Sequence, residues 1–258
     1  MKTPQRIIGL VPAAGRGSRL APFPCPKELF PVGYQDYLVG DTIEKRPKVV
    51  SQYLIENMQT AGAKRLFIIL GEGKGDIMSY YGNGSRFGLE VAYLYQQQLT
   101  GMPGALDLAT PHIAGATVVF GMPDTIIEPH DLFSQLLTKH QEHDADLTLG
   151  LFPTDNPSKF GMVEIDADNN VISTIDKPKQ TELTLMWGCA CWSPRFTELL
   201  HTFLTDNPFS GREIVLGDVF DEALRRNYTV KGIPFQDGQY IDIGTAAELN
   251  SALKRFHL

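Results

Sequence analysis

Cysteine is scarce: 258 residues hold three, Cys25, Cys189 and Cys191. So sparse and odd a set excludes the disulfide framework that holds small secreted domains together. Cys189 and Cys191 stand two apart in an apolar run, so on a strand they share a face and read as small packing residues. A zinc site needs more ligands at defined spacing. The six histidines form no ligand cluster; His140 and His143, three apart on one predicted helix, read as solvated side chains. Positive charge is also in deficit. A net charge of -7 excludes a general electrostatic grip on nucleic acid, which needs a basic surface. Any phosphate site must therefore be local, a few Lys and Arg with oriented backbone N–H groups. Long apolar runs are missing too. Ile7 to Ala14 is too short to span a bilayer and lacks signal-peptide flanks, and no other window is longer and as apolar. The reading is a cytoplasmic protein with neither membrane nor nucleic acid as partner.

What the chain does have is apolar residues, 43% of the total, enough for a substantial core. They alternate between two periods. Ile7 to Val11 reads as a strand buried on both faces, followed by a Gly- and Pro-rich loop from Pro12 to about Pro31. A helix is expected from Pro47 to Ala61, with Val50, Tyr53, Leu54, Asn57 and Met58 on its inner face. Strands are expected at Leu66 to Leu70, Glu90 to Tyr95, Ala116 to Phe120 and Leu147 to Phe152, with helices at Pro103 to Ala109 and Asp131 to His140. This order implies an α/β fold whose mostly parallel sheet carries helices on both faces. After about Asp155 the pattern changes. Met162 to Ile165 and Val171 to Ile175 flank a turn-rich segment and read as a hairpin. A strand at Leu185 to Trp192, helices at Pro194 to Leu204 and Ile214 to Arg226, a strand at Thr229 to Phe235 and a last helix at Thr245 to Phe256 complete the pass. No linker interrupts it, so residues 1–258 read as a single domain with an antiparallel lobe in its second half.

The loop after the first strand, Pro12-Ala13-Ala14-Gly15-Arg16-Gly17-Ser18-Arg19-Leu20, is the strongest local signal. Open parallel sheets bind ligands beyond the carboxyl ends of their strands. Small residues there let the backbone turn its N–H groups toward a polyphosphate, and Arg19 adds a fork matched to phosphate oxygens. Lys27, beyond Pro22, Pro24 and Pro26, supplies a further point charge. The loop is no Walker motif, which needs Gly-Lys-Ser/Thr, and it lacks the third Gly of a dinucleotide fingerprint.

With Pro26-Lys27-Glu28-Leu29-Phe30-Pro31-Val32 added, the string resembles the signature of sugar-1-phosphate nucleotidyltransferases, in particular glucose-1-phosphate thymidylyltransferases and uridylyltransferases. That family has a Rossmann-like nucleotide-diphospho-sugar transferase fold. The resemblance covers nearly the whole chain. It implies that Ala13, Ala14, Gly15, Gly17, Ser18, Arg19 and Lys27 hold the triphosphate, and that Gln96 and Gly101 hold the nucleobase, favouring dTTP or UTP. Phe160-Gly161-Met162-Val163-Glu164 and Asp176-Lys177-Pro178 resemble its sugar elements, which implies that Gly161, Asp176 and Gly188 line the sugar and Lys177 holds its phosphate. Asp124 and Asp242 take the places of its Mg²⁺ ligands. Three departures stand out: Met122 and Pro123 inserted before Asp124, Asp176 in place of Glu, and Tyr240 and Ile243 in place of Trp and Thr.

The reaction so implied joins a nucleoside triphosphate to a sugar 1-phosphate and releases pyrophosphate, with residues 1–153 serving mainly the nucleotide and 154–258 mainly the sugar phosphate. It needs no Ser, Cys or His nucleophile, because the sugar phosphate is itself ionised. Two other readings fit the same motifs: transfer to a non-sugar phosphate such as a polyol phosphate or phosphocholine, and a catalytically silent nucleotide-sugar-binding module. Homo-oligomers built through C-terminal helices are a further implication of the resemblance.

Overall fold

A computed structural model describes residues 6–209, 211 and 213–256. In chain order its strands are Ile7–Ala13 (β1), Pro31–Val39 (β2), Thr42–Val49 (β3), Arg65–Leu70 (β4), Glu90–Tyr95 (β5), Thr117–Gly121 (β6), Thr125–Glu128 (β7), Leu147–Pro153 (β8), Gly161–Ile165 (β9), Val171–Asp176 (β10), Leu185–Trp192 (β11), Val230–Pro234 (β12) and Gln239–Asp242 (β13). The helices are Val50–Thr60 (α1), Gly75–Tyr81 (α2), Met102–Asp107 (α3), Leu132–Glu142 (α4), Pro194–Asp206 (α5), Leu216–Arg225 (α6) and Ala246–Arg255 (α7).

β1 lies inside the sheet, as a strand apolar on both faces must. β4 and β6 flank it in parallel, and β5 extends the parallel set beyond β4. On the other side β11 runs antiparallel to β6 and brings in the β9–β10 hairpin and β8, which pairs in parallel with β12. Alternation along each strand divides the core between the two faces. Ile8, Leu10, Val118, Phe120 and Trp192 meet α3, α5 and α6. Val11, Leu66, Ile68, Cys189 and Cys191 meet α1, α2 and α4, so both cysteines are the packing residues their spacing implies.

The α/β alternation holds, and the inner face of α1 is buried as its period requires. Its start differs from the expectation. Pro47 lies in β3 opposite Tyr34, and the helix begins at Val50. An edge strand tolerates a residue without an N–H, and a β-ribbon precedes the helix instead of a loop. α2, β7 and β13 are further elements without a strong signal, each too short to show a period. Asn57, on the buried face of α1, donates to the Pro129 carbonyl and accepts from the Phe133 N–H, pinning α1 to the start of α4.

His140 corrects the reading of a solvated pair. His143 is exposed, but His140 is buried against β8, with Nδ1 at 2.9 Å from Thr148 Oγ1. Burial pushes its pKa down to about 4, against the opposing influence of Asp146 and Asp144. The unfolded chain protonates near 6.5, so it binds more protons between these values and stability falls as pH is lowered. The contribution is complete above about pH 6.5 and is lost toward pH 4, in all ~3 kcal/mol. His140→Gln, which keeps a polar partner for Thr148, is expected to flatten this part of the stability curve. Urea unfolding at several pH values between about 7 and 4.5 measures it; an unchanged slope would assign the acid sensitivity to other groups.

Candidate active site

A cavity of about 900 Å³ opens at the carboxyl ends of the parallel strands. One wall is the loop after β1. Ala14, Gly15, Ser18 and Arg19 border the cavity, and nothing lies within 4 Å of where a Gly15 side chain would start. The loop rests on the end of β4. A Cβ on Gly71 would stand 2.5 Å from the Ala14 carbonyl oxygen, so glycine at position 71 is what lets the loop lie so low. The Arg19 guanidinium lies over Gly244, where a Cβ would meet Nη2 at 2.7 Å.

The floor carries two carboxylates. A turn in which Thr125 donates through N and Oγ1 to the Met122 carbonyl absorbs Met122 and Pro123 and leads into β7. β7 pairs antiparallel with β13, with Asp242 opposite Thr125, and the Ile243 N–H donates to the Asp124 carbonyl. Strand pairing thus places the two aspartates side by side. Burial first, and then the charge of Asp124, push the Asp242 pKa up to about 6, although the Gly244 N–H donates to Oδ1 at 2.7 Å. The Lys27 ammonium sits on Asp124 Oδ2. Burial works to lower the Lys27 pKa, but the charge of Asp124 and its hydrogen bond raise it overall.

This donor set suits a small hard cation. Two adjacent carboxylates short of positive charge attract one, and Lys27 occupies that role toward Asp124. Among the described residues no group of three or more metal-ligating side chains forms.

At one end of the cavity the β9–β10 register sets Asp176 opposite Gly161. A Cβ on Gly161 would stand 2.2 Å from Trp187 Nε1, so this residue gives the indole its place in the wall. Lys177 has φ +45°, a left-handed conformation that costs about 1 kcal/mol or more without glycine, and its N–H donates to the Phe160 carbonyl. At the other end Gln96 is buried, and its Nε2 donates to the Gly101 carbonyl at 3.3 Å and to Thr100 Oγ1 at 3.4 Å. Gly101, at φ +96°, passes so close to the segment before α6 that a Cβ would stand 2.5 Å from the Ile214 carbonyl oxygen.

Of the residues singled out in the sequence, Ala14, Gly15, Ser18, Arg19, Lys27, Gln96, Gly101, Asp124, Gly161, Asp176, Lys177 and Asp242 border this one cavity. Three stand elsewhere. Ala13 points into the core below the loop. Gly17 faces a smaller, 360 Å³ pocket on the far side of Lys27. Gly188 lies behind Tyr240, where a Cβ would stand 2.5 Å from the ring, so it positions the Tyr240 ring from behind. Sequence reasoning missed Lys159, Trp187 and the segment from Glu213 to Gly217, which also line the cavity. Lys159 directly precedes the Phe160-Gly161 pair, a signal that could have found it.

Residues 8–257 match the model of a family described as nucleotidyl transferase. The chain belongs to the nucleotidyl transferase family. Its relatives include the low-salt glycan biosynthesis nucleotidyltransferase Agl11 of Haloferax volcanii, 26% identical over 86% of this chain and 58% of that one. Another is a glucose-1-phosphate thymidylyltransferase of Mycolicibacterium smegmatis, 29% identical over 66% of this chain and 55% of that one. The chain therefore spans little more than half the length of these relatives. A UDP-glucose pyrophosphorylase solved with UDP-glucose superposes with a TM-score of 0.80 over 98% of both chains at 18% identity, which shows the shared fold.

The segment after Lys27 is anchored by an ion pair. Both oxygens of Glu28, which is 2% exposed, accept from Lys74 Nζ, which is 5% exposed, at 2.7 and 3.0 Å. Burial raises the Glu28 pKa against the opposing charge of Lys74. Removing one partner leaves a buried charge alone. Lys74→Met is expected to cost ~3–5 kcal/mol, and Glu28→Met added to it to restore most of the loss, as measured by denaturant unfolding. A double variant as unstable as the single one would show that packing, not charge, holds the segment.

Proposed function

We propose that the chain transfers a nucleotidyl group from dTTP or UTP to a sugar 1-phosphate, forming a nucleoside diphosphate sugar and pyrophosphate. The observation that carries this reading is the grouping, around one cavity, of a glycine loop, four cations, two adjacent carboxylates and a buried amide. Residues 1–153 serve mainly the nucleotide in this reading, and residues 154–258 mainly the sugar phosphate.

The protein's task is to bring two polyanions into line. Backbone N–H groups from Gly15 to Ser18, with Arg19 and Lys27, hold the triphosphate. Lys177 holds the phosphate of the sugar, and Gly161 and Asp176 meet its ring. An oxygen of the sugar phosphate attacks the α-phosphorus, the bond to the β-phosphate breaks, and pyrophosphate leaves with the electron pair. Asp124 and Asp242 are the residues to hold Mg²⁺, which when bound neutralises charge developing on the phosphates. Lys27, which rests on Asp124, would be free to turn to phosphate once a cation satisfied that carboxylate.

The orientation of Gln96 supports the base preference. A carbonyl only accepts, so the amide turns Nε2 to Gly101 and keeps Oε1 as its acceptor. Oε1 suits the imide N3–H of thymine or uracil; the N3 of cytosine carries no hydrogen.

Pyrophosphate release with Mg²⁺ across a matrix of nucleoside triphosphates and sugar 1-phosphates tests the reaction. Turnover is expected with dTTP or UTP and a hexose 1-phosphate, and CTP is expected to be at least about tenfold poorer, the worth of one hydrogen bond. Silence throughout the matrix would sink the assignment. Asp242→Asn is expected to lower kcat by a factor of about 10² or more with the fold intact. Lys177→Ala is expected to raise the KM for the sugar phosphate far more than that for the triphosphate; equal effects would remove Lys177 from the sugar end.

A further inference from the structure

β2 and β3 form a two-stranded ribbon closed by the turn Gly40–Asp41, with Gly40 at φ +61°. Its root is fastened: Tyr53 Oη donates to the Val32 carbonyl at 2.6 Å, and Gln35 Nε2 donates to the Pro47 carbonyl at 3.2 Å. Beyond the root every residue from 36 to 47 is exposed, so the ribbon is an arm with water on both faces. An isolated two-stranded ribbon is marginal in water, and this one exposes large apolar side chains.

The register sorts those side chains. On one face stand the cross-strand pairs Tyr34–Pro47, Asp36–Lys45 and Leu38–Ile43, in order from root to tip. Tyr34 is 54% exposed, Leu38 68% and Ile43 70%. Asp36 and Lys45 form an ion pair at 2.6 Å between the two apolar pairs. The opposite face carries Gln35–Arg46, Tyr37–Glu44 and Val39–Thr42, and is more polar.

We infer that the apolar face of this arm packs against the same face of a second copy of this chain, about a two-fold axis running along the arm. Two observations select that occupant. From residue 34 to 48 the arm holds three acidic and three basic side chains, so it is neutral in a chain of net charge -7 and attracts neither an acidic nor a basic partner. The face is also complementary to itself. Rotation about an axis along the arm exchanges the two strands, which sets Asp36 over Lys45 of the second copy, Lys45 over Asp36, and Leu38 over Ile43. Rotation about an axis across the arm, through its charged pair, would oppose Asp36 to Asp36 and Lys45 to Lys45. Pairing through the edge of β3 is discouraged by Lys45, Arg46, Pro47 and Lys48. An interface of this size makes a weak, reversible dimer, with a dissociation constant on the order of micromolar.

Sedimentation equilibrium of the full chain from a few to a few hundred micromolar tests the inference. The unmodified chain is expected to pass from monomer to dimer in that range. D36K and K45D, which set like charges against each other, are each expected to stay monomeric. An equimolar mixture of D36K and K45D is expected to recover the dimer, because in the mixed pair every charge again faces its opposite across the interface, while the repulsion within each arm is unchanged. Circular dichroism confirms that both variants are folded. A monomer at all concentrations, a dimer indifferent to both substitutions, or a mixture that fails to recover the dimer would each overturn the inference.

Discussion

Two like charges in a half-dry pocket repel, and Asp124 and Asp242 are held together only because their backbones belong to paired strands. β7 and β13 lie far apart in sequence, and each contributes four residues to a ladder that ends with Asp242 opposite Thr125. Burial first and the neighbouring charge second raise the pKa of Asp242, and Lys27 offsets part of the cost by contact with Asp124. Every other part of the cavity takes its place around this pair. Tyr240 is half-buried next to it with Gly188 behind, α7 begins shortly after it, and Arg19 covers Gly244. A site built on unfavourable charge is poised for a cation and for polyanions that bring one, which is why we read the pair as a metal site.

The glycines in and behind the cavity walls do two kinds of work. At Gly101 the backbone is left-handed, and a side chain would be strained whatever room it had. At Gly71, Gly161 and Gly188 the constraint is space: the Ala14 carbonyl, the Trp187 indole and the Tyr240 ring occupy the volume of a Cβ. Three walls of the cavity therefore depend on missing side chains. Lys177 reverses this logic. It takes a left-handed backbone without being glycine, at the end of β10, where the strand hands over to the cavity wall.

Much of this was legible in advance. Period alone located β1, β4 and β11 and the inner face of α1, because strands and helices buried by the core must repeat at 2 or 3.6 residues. That the loop from Pro12 to Leu20 borders the cavity was legible because its small residues form an unbroken local run after β1. The β2–β3 arm was not, since it has no buried face to impose alternation. β7 and β13 were not, since four residues carry no period. His140 was misread because its partner Thr148 comes from the next strand, which folds back across the helix.

By itself the sequence determined whatever a few neighbouring residues decide: the α/β alternation, the glycine loop after β1, the hairpin at residues 162–175 and the family to which they point. Only the tertiary structure decided what depends on distant residues meeting. It set Asp124 beside Asp242, gave Lys27 its acid, buried Glu28 against Lys74, moved Gly188 behind Tyr240 and left the arm in water. The physical reason is range. Backbone preference and hydrophobic period act over a turn or a strand, whereas charge pairing and close packing act through space and answer to whichever residue the fold brings within a few ångströms.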